Sequence, residues 1–132
     1  MAVIAHTATR MTAAYLYLNS ALYGLFAAWC TLRWRQTAAS LGYGTLNGSG
    51  SSEYLVIYGG LQWGLAAMFF MLARQEAADR HALSVALGIY IPIVIYRVAT
   101  VWQFWPVAPL TLAVAALEVA LLAAGAVLWW MA

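Results

Sequence analysis

The architecture of this chain rests on two apolar runs, ALSVALGIYIPIVIYRVATV at residues 82–101 and APLTLAVAALEVALLAAGAVLWWM at residues 108–131. Each is long enough to cross a bilayer as a helix, which needs about 20 residues. Each holds one formal charge, Arg97 in the first and Glu118 in the second. A charge near the bilayer centre costs roughly 2.5–3.5 kcal/mol even on lenient insertion scales, so such residues usually face a protein interior. The pair therefore indicates where a site lies.

Composition favours the same class of protein. Of the 132 residues, 66% are hydrophobic and only 8% are charged, which leaves too few polar residues to cover a water-facing surface. Two further apolar windows lie at about residues 11–32 and 54–73. We therefore expect an all-α, multi-pass membrane protein. Residues 1–132 are predicted to form a single domain, folded as an antiparallel, up-down bundle of four transmembrane helices.

The longest connection between the predicted spans is residues 34–52, and its later part is rich in glycine and serine. We expect a flexible loop there. The earlier part, residues 34–41, has aromatic and basic side chains suited to the headgroup layer, so a short interfacial helix is expected. A charged turn at residues 74–80 and a turn containing tryptophan and proline at residues 102–109 complete the connections.

The arginines set the predicted orientation in the membrane. Three of them, Arg10, Arg74 and Arg80, lie on the side of the N-terminus, against Arg33 and Arg35 on the other side. Because cytoplasmic loops carry the excess of basic residues, this distribution places both termini in the cytoplasm. All six basic residues are arginine and alanine is abundant, which favours a bacterial genome rich in G and C and hence an inner membrane.

Helical periodicity gathers polar side chains on one stripe of several spans. Counted from the outer ends of the helices, three polar residues of different spans, Tyr23, Gln62 and Glu118, fall at a similar depth. Arg97 lies about one turn shallower, and its side chain is long enough to reach Glu118. The predicted ligand-binding residues are Arg97, Glu118, Asn19, Tyr23, Tyr58, Gln62 and Tyr90.

Three interpretations of these stripes stay open, and one of them is the passage of protons or ions through the membrane. Arg97 and Glu118 can form a buried ion pair that only fixes how two helices dock, with Asn19 and Gln62 as hydrogen bonds between helices. Alternatively, the polar groups line a pocket for a lipophilic or amphipathic small molecule, a membrane lipid included. An apolar cavity with a few convergent polar groups is the usual small-molecule site.

The second span contains a G-x-x-x-G pattern, GLQWG at residues 60–64, which lets another helix approach closely. Gly60 and Gly64 lie on the face opposite Tyr58 and Gln62. Either the glycine face packs inside the monomer, or it forms a homodimer or a contact in a larger membrane complex while Tyr58 and Gln62 face the pocket. Both alternatives stay open.

Several classes of function lack any sequence support. The chain has no basic run and no glycine-rich phosphate loop, so we expect no nucleic-acid partner. No zinc, thiol or serine motif appears, so we predict no metal and no cofactor, and the sequence does not decide whether the protein is an enzyme. Cys30 is the only cysteine, which excludes an intrachain disulfide.

The segment EYLVIYGG at residues 53–60 is followed by Gly64, by an arginine late in the third span and by a glutamate midway through the fourth. This arrangement resembles a family of small four-helix bacterial membrane proteins known only as a domain of unknown function. The positions that match its E-x4-YGG motif and later residues are Glu53, Tyr58, Gly59, Gly60, Arg97, Thr100 and Glu118. Leu55 stands where the family has arginine, and residues 102–105 replace an Asp-Gly pair. The resemblance implies the fold and the choice of site, and it implies no reaction.

Three functions follow as expectations. In the first, Arg97 holds the anionic or carbonyl headgroup of a lipophilic or amphipathic ligand, and Glu118 pairs with Arg97 when the site is empty. In the second, the chain is an accessory or assembly subunit of a larger membrane complex. In the third, it is a small proton-coupled transporter that works as a dimer, with Glu118 as the proton carrier.

Overall fold

The computed structural model describes residues 2–75 and 80–132, with the backbone alone for residues 2–6 and 8. Residues 76–79, part of the predicted charged turn, lie outside the described residues. The described residues form five helices: α1 (Ala2–Leu32), α2 (Trp34–Ser40), α3 (Gly48–Ala73), α4 (Arg80–Gln103) and α5 (Pro109–Met131).

The predicted bundle of four transmembrane helices is wrong. Within the described part of the chain, three helices are long and apolar enough to cross a membrane: α3, α4 and α5. The first helix has the length, 31 residues, but several polar side chains lower its mean hydropathy; they include Tyr15, Tyr17, Asn19, Ser20 and Tyr23. The short α2 adds a fifth helix to the count. The membrane-protein class therefore rests on three apolar helices.

Residues 34–52 contain more helix than the sequence predicts. The short helix expected after the first apolar window forms as α2. In addition, α3 begins at Gly48, inside the stretch predicted to be a flexible loop. The reason is Asn47, whose side-chain Oδ1 accepts a 2.8 Å hydrogen bond from the Gly50 amide. This bond satisfies an N–H group that has no partner within the helix, as an N-cap does.

A π-helical segment, Val56–Gly60, interrupts α3 at the residues VIYGG. Such segments occur as short interruptions of α-helices and are frequent at functional sites. Gly59 is buried there, and a Cβ on it would lie 3.0 Å from the Oγ1 of Thr31 in α1. The glycine therefore permits a close approach of α1 to α3.

The chain divides into two compact units, one with residues Met1–Tyr15 and Ala73–Ala132 and the other with Leu16–Leu72. In the first unit, α4 and α5 form an antiparallel hairpin. Towards the turn that joins the two helices, Arg97 lies opposite Glu118. Towards the other end of the hairpin, the Oγ of Ser84 accepts a 3.0 Å hydrogen bond from the Trp129 indole. Tyr15 of α1 donates a 3.0 Å hydrogen bond to the carbonyl of Leu121.

In the second unit, the remainder of α1 runs antiparallel to α3. Ser20 donates a 2.8 Å hydrogen bond to the Ala66 carbonyl, and the rings of Tyr23 and Phe69 stack with centroids 5.6 Å apart. A Cβ on Gly24 would lie 3.6 Å from the Trp63 ring, so the two helices are in contact there as well. Buried apolar residues of this unit include Leu16, Ala27, Cys30 and Phe69.

Candidate functional site

Arg97 and Glu118 meet across the α4–α5 hairpin in a bidentate ion pair. The Arg97 Nε donates to Oε2 of Glu118 at 2.8 Å, and its Nη2 donates to Oε1 at 2.9 Å. This parallel arrangement of two charge-assisted hydrogen bonds is the strongest geometry available to a guanidinium and a carboxylate. Two of the five N–H donors of the guanidinium point to Glu118 in this way.

The ion pair is not buried, which corrects the interpretation of a buried pair. The side chains of Arg97 and Glu118 are 32% and 16% exposed. The neighbours of Arg97 along α4, Tyr96 and Val98, are 73% and 62% exposed, so this stretch of α4 lies at the surface of the described chain. Both charges are therefore partly uncovered within helices apolar enough to lie in a membrane.

Thr100, a position that matches the resembled family, directs its hydroxyl to its own helix. Its Oγ1 is 2.8 Å from the carbonyl oxygen of Tyr96 and 3.2 Å from that of Arg97. Inside a helix, the hydroxyl of a threonine usually donates its hydrogen bond to a backbone carbonyl three or four residues earlier in the chain. The polar chemistry at this end of the hairpin is therefore that of the Arg97–Glu118 pair.

The other predicted ligand-binding residues are divided between the two units. Tyr90 is buried in the first unit, which also holds Arg97 and Glu118. The second unit holds the remaining four: Asn19, Tyr23, Tyr58 and Gln62. A single pocket lined by all seven residues thus stays a prediction.

Within the second unit, the four predicted residues have different surroundings. Asn19 is fully buried on α1, and Tyr23 stacks on Phe69. Gln62 donates a 3.3 Å hydrogen bond to the carbonyl of Ile57, in the π-helical segment of its own helix. Tyr58 belongs to a group of aromatic side chains at the start of α3.

This group, the tyrosine cluster, consists of Tyr43, Tyr54 and Tyr58. The rings of Tyr54 and Tyr58 stack with centroids 4.7 Å apart and planes at 24°. The ring of Tyr43 stands edge-on to both, at 5.7 Å and 6.0 Å. The hydroxyls of Tyr43 and Tyr58 are 2.9 Å apart and share a hydrogen bond. The cluster therefore presents rings in two nearly perpendicular orientations.

Tyr54 anchors the cluster to the rest of the second unit. Its side chain is only 4% exposed, and its hydroxyl donates a 2.8 Å hydrogen bond to the Oγ1 of Thr37 in α2. The Sγ of Cys30, at the end of α1, lies 3.6 Å from the same hydroxyl. Thr37 is held in turn by the Arg33 and Trp34 carbonyls, each 3.2 Å from its Oγ1. This network ties α1 and α2 to the start of α3.

A cavity of about 270 Å³ opens beside the tyrosine cluster. Its lining residues are Tyr43, Leu46, Gly50, Glu53, Tyr54, Ile57 and Tyr58. Sequence reasoning selected Tyr58 alone for the ligand site and assigned no such role to Tyr43 or Tyr54. The spacing of Tyr54 and Tyr58 could have indicated the stack, because residues four apart lie on one face of a helix.

Gly60 and Gly64 lie on a face of α3 that no described residue covers. A Cβ at either position would meet no atom within 4 Å. The close approach inside the second unit uses Gly59 instead, next to Thr31. Packing of the Gly60–Gly64 face against another helix stays a prediction.

Comparison with known protein families, curated proteins and solved structures gave no match to this chain. The resemblance of residues 53–60 to a four-helix membrane family accordingly stays a prediction. Among the described residues, no group of three or more histidine, cysteine, aspartate or glutamate side chains is placed to hold a metal ion.

Proposed function

We propose that this protein is an integral membrane protein that binds a lipophilic or amphipathic small molecule, a membrane lipid included, through Arg97 and Glu118. The observation that carries the proposal is the bidentate ion pair between two helices apolar enough to cross a membrane, with both side chains partly uncovered.

The physical argument concerns the placement of charge in an apolar medium. The hydrocarbon of a bilayer offers no water to an uncovered charged group, so such groups pair with protein or with a ligand. A phosphate, carboxylate or carbonyl headgroup is the chemical complement of the Arg97 guanidinium. Glu118 holds that guanidinium in place and balances its charge when the site is empty.

The proposal includes a location, the bacterial inner membrane. An all-arginine basic set with abundant alanine supports the bacterial source.

Native mass spectrometry of the detergent-purified protein tests the ligand. The comparison is between wild type, Arg97→Ala and the matched control Arg35→Ala, which removes an exposed arginine of α2. We expect a defined extra mass in wild type and Arg35→Ala that is lost in Arg97→Ala. The same adduct in all three proteins, or none in wild type, contradicts the proposal.

A second variant separates binding from folding. Arg97→Leu combined with Glu118→Leu removes both charges together, and replacing an ion pair by apolar residues of similar size is often neutral for stability. We expect this double variant to keep its helical circular dichroism and to lose the adduct. Retention of the adduct shows that the ligand is held elsewhere.

A second candidate function is that of a subunit in a larger membrane complex, favoured by the open glycine face of α3. Gly60 and Gly64 would meet nothing within 4 Å if they carried a side chain, and small residues at this spacing let helices approach closely. Copurification from native membranes should lose a defined partner in Gly64→Leu. It should keep that partner in Gly88→Leu, since Gly88 is equally open on α4. Unchanged copurification in both variants excludes this face as the contact.

A further inference from the structure

The cavity beside the tyrosine cluster combines aromatic rings with one carboxylate. Tyr43, Tyr54 and Tyr58 line it together with Glu53. The face of an aromatic ring is electronegative, and two or more rings at an angle to one another attract a cation from more than one side. Tyr43 stands at 79° to Tyr54 and at 73° to Tyr58, so the rings that line the cavity do not share one plane.

Glu53 gives the cavity a negative charge. The Glu53 side chain is exposed, and it has no ion-pair partner in the described part of the chain. The start of α3 is capped by Asn47, so Glu53 is not needed there as a capping group. An uncompensated carboxylate at the wall of an aromatic cavity favours a cation and disfavours an anion.

The hydroxyl groups of the cluster already bond within the protein. Tyr43 and Tyr58 share one hydrogen bond, and Tyr54 donates to Thr37. These bonds hold the rings in fixed orientations. Less conformational entropy is therefore lost when a ligand binds, and the free-energy cost of binding is lower. The remaining lining includes the apolar side chains of Leu46 and Ile57, which suit the alkyl groups of an organic cation.

From these observations we propose that the tyrosine cluster and Glu53 form a binding site for a substituted ammonium ion. Quaternary and alkylated ammonium ions are the ligands that aromatic cages recognise best. The volume of about 270 Å³ suits a small ligand or a headgroup, since pockets for drug-sized molecules are usually larger. The ammonium group can belong to a free metabolite or to the headgroup of a membrane lipid, and its chemistry is the same in both.

Choline is the probe for this site, and its carbon isostere 3,3-dimethyl-1-butanol is the neutral control. The protein is held in micelles of a maltoside, a neutral detergent without an ammonium ion, so that no charged surface concentrates choline. Each ligand is followed by the broadening of its methyl proton signal. We expect saturable binding of choline and at least about tenfold weaker binding of the neutral isostere. Equal binding of the two identifies a plain apolar cavity and overturns the proposal.

Three variants locate the binding. Glu53→Gln removes the charge from an exposed side chain, and Tyr43→Leu removes a ring that is 42% exposed, so neither disturbs a buried core. Tyr43→Leu should weaken choline binding by at least about twofold, the lower end of a cation–π contribution. Glu53→Gln should weaken it at least as much, because it removes the charged side chain of the cavity lining. Tyr17→Leu, which removes a 43% exposed ring elsewhere in the same unit, should leave binding unchanged. Choline affinity that is unaffected by Glu53→Gln overturns the proposal.

A change of lipid identifies the source of the ammonium group. If the site takes a lipid headgroup, zwitterionic phosphatidylcholine or phosphatidylethanolamine added to the neutral micelles competes with choline and raises its apparent Kd in proportion to the lipid fraction. If the site takes a free cation, the Kd is the same in all lipids. Both results support the ammonium site and differ only in its natural occupant.

Discussion

The hydroxyl of Tyr15 lies so close to the backbone of Gly125 that a Cβ on this glycine would be 2.8 Å from the Tyr15 Oη. The Tyr15 Cζ atom would be 3.3 Å away, and the same hydroxyl donates a hydrogen bond to the Leu121 carbonyl. The contact joins the first part of α1 to α5 within the first unit. It exists because position 125 has no side chain.

Gly125→Ala should therefore destabilise the protein. The new methyl group must displace a buried tyrosine that is held by a hydrogen bond, and overpacking of this kind costs about 1–3 kcal/mol. Gly88→Ala is the matched control on α4, since a Cβ there would meet nothing within 4 Å, and alanine stabilises a helix by about 0.5–1 kcal/mol relative to glycine. Equilibrium unfolding in mixed detergent micelles measures both. Equal stabilities of the two variants contradict the close contact.

The ion pair between α4 and α5 should show a strong thermodynamic coupling. Arg97→Leu leaves the Glu118 carboxylate without two charge-assisted hydrogen bonds, at a cost of about 2 kcal/mol. Adding Glu118→Leu removes the orphaned charge, so the double variant should be more stable than either single variant. A double-mutant cycle on the free energy of unfolding gives the coupling, which we expect to exceed about 1 kcal/mol. Additive effects of the two substitutions are incompatible with a formed pair.

Two adjacent glycines of α3 should respond differently to alanine. A Cβ on Gly59 would lie 3.0 Å from the Thr31 Oγ1, whereas a Cβ on Gly60 would have open space. We expect Gly59→Ala to be less stable than Gly60→Ala by about 1 kcal/mol, the lower end of the cost of overpacking. Thr31→Ala should remove most of this difference, because it removes the oxygen that the new methyl group meets. A difference that persists in the Thr31→Ala background points to the π-helical backbone instead.

Cys30 offers a readout of the contacts around Tyr54. It is the only cysteine, it is fully buried, and the Tyr54 hydroxyl lies 3.6 Å from its sulfur. We expect it to resist maleimide in the native protein. Tyr54→Phe removes the hydrogen bond to Thr37, worth about 1 kcal/mol, and should increase labelling about fivefold if local opening governs access.

Tyr17→Phe is the control for this experiment, because Tyr17 lies in the same unit and contacts Phe70 rather than Tyr54. Its labelling rate should match that of wild type. Rapid labelling of wild type would show that the contact between α1, α2 and α3 is open in solution.

Local sequence patterns predicted the short-range features of this fold. The apolar runs at residues 54–73 and 82–101 lie within α3 and α4, and the run at residues 108–131 matches α5 except for its first residue. The short helix α2 forms where aromatic and basic residues follow the first window. Counting residues along the predicted helices placed Arg97 and Glu118 at similar depths. In the structure, the two side chains form an ion pair. Each of these depends on periodicity or length, which a single sequence contains.

What the sequence by itself determined is thus the helical class, the positions of three of the four predicted spans and the residues that carry charge among them. Only the tertiary structure decided that Arg97 and Glu118 stay partly exposed, because burial depends on what packs around a residue. Only the tertiary structure shows that Tyr43 contacts Tyr54 and Tyr58. This contact forms because α3 begins early, after its N-cap Asn47, and the loop that precedes α3 folds back onto the helix. Only the tertiary structure shows that α1 contacts α3 at Gly59 rather than at Gly60, because the π-helical turn determines which of the two glycines faces Thr31.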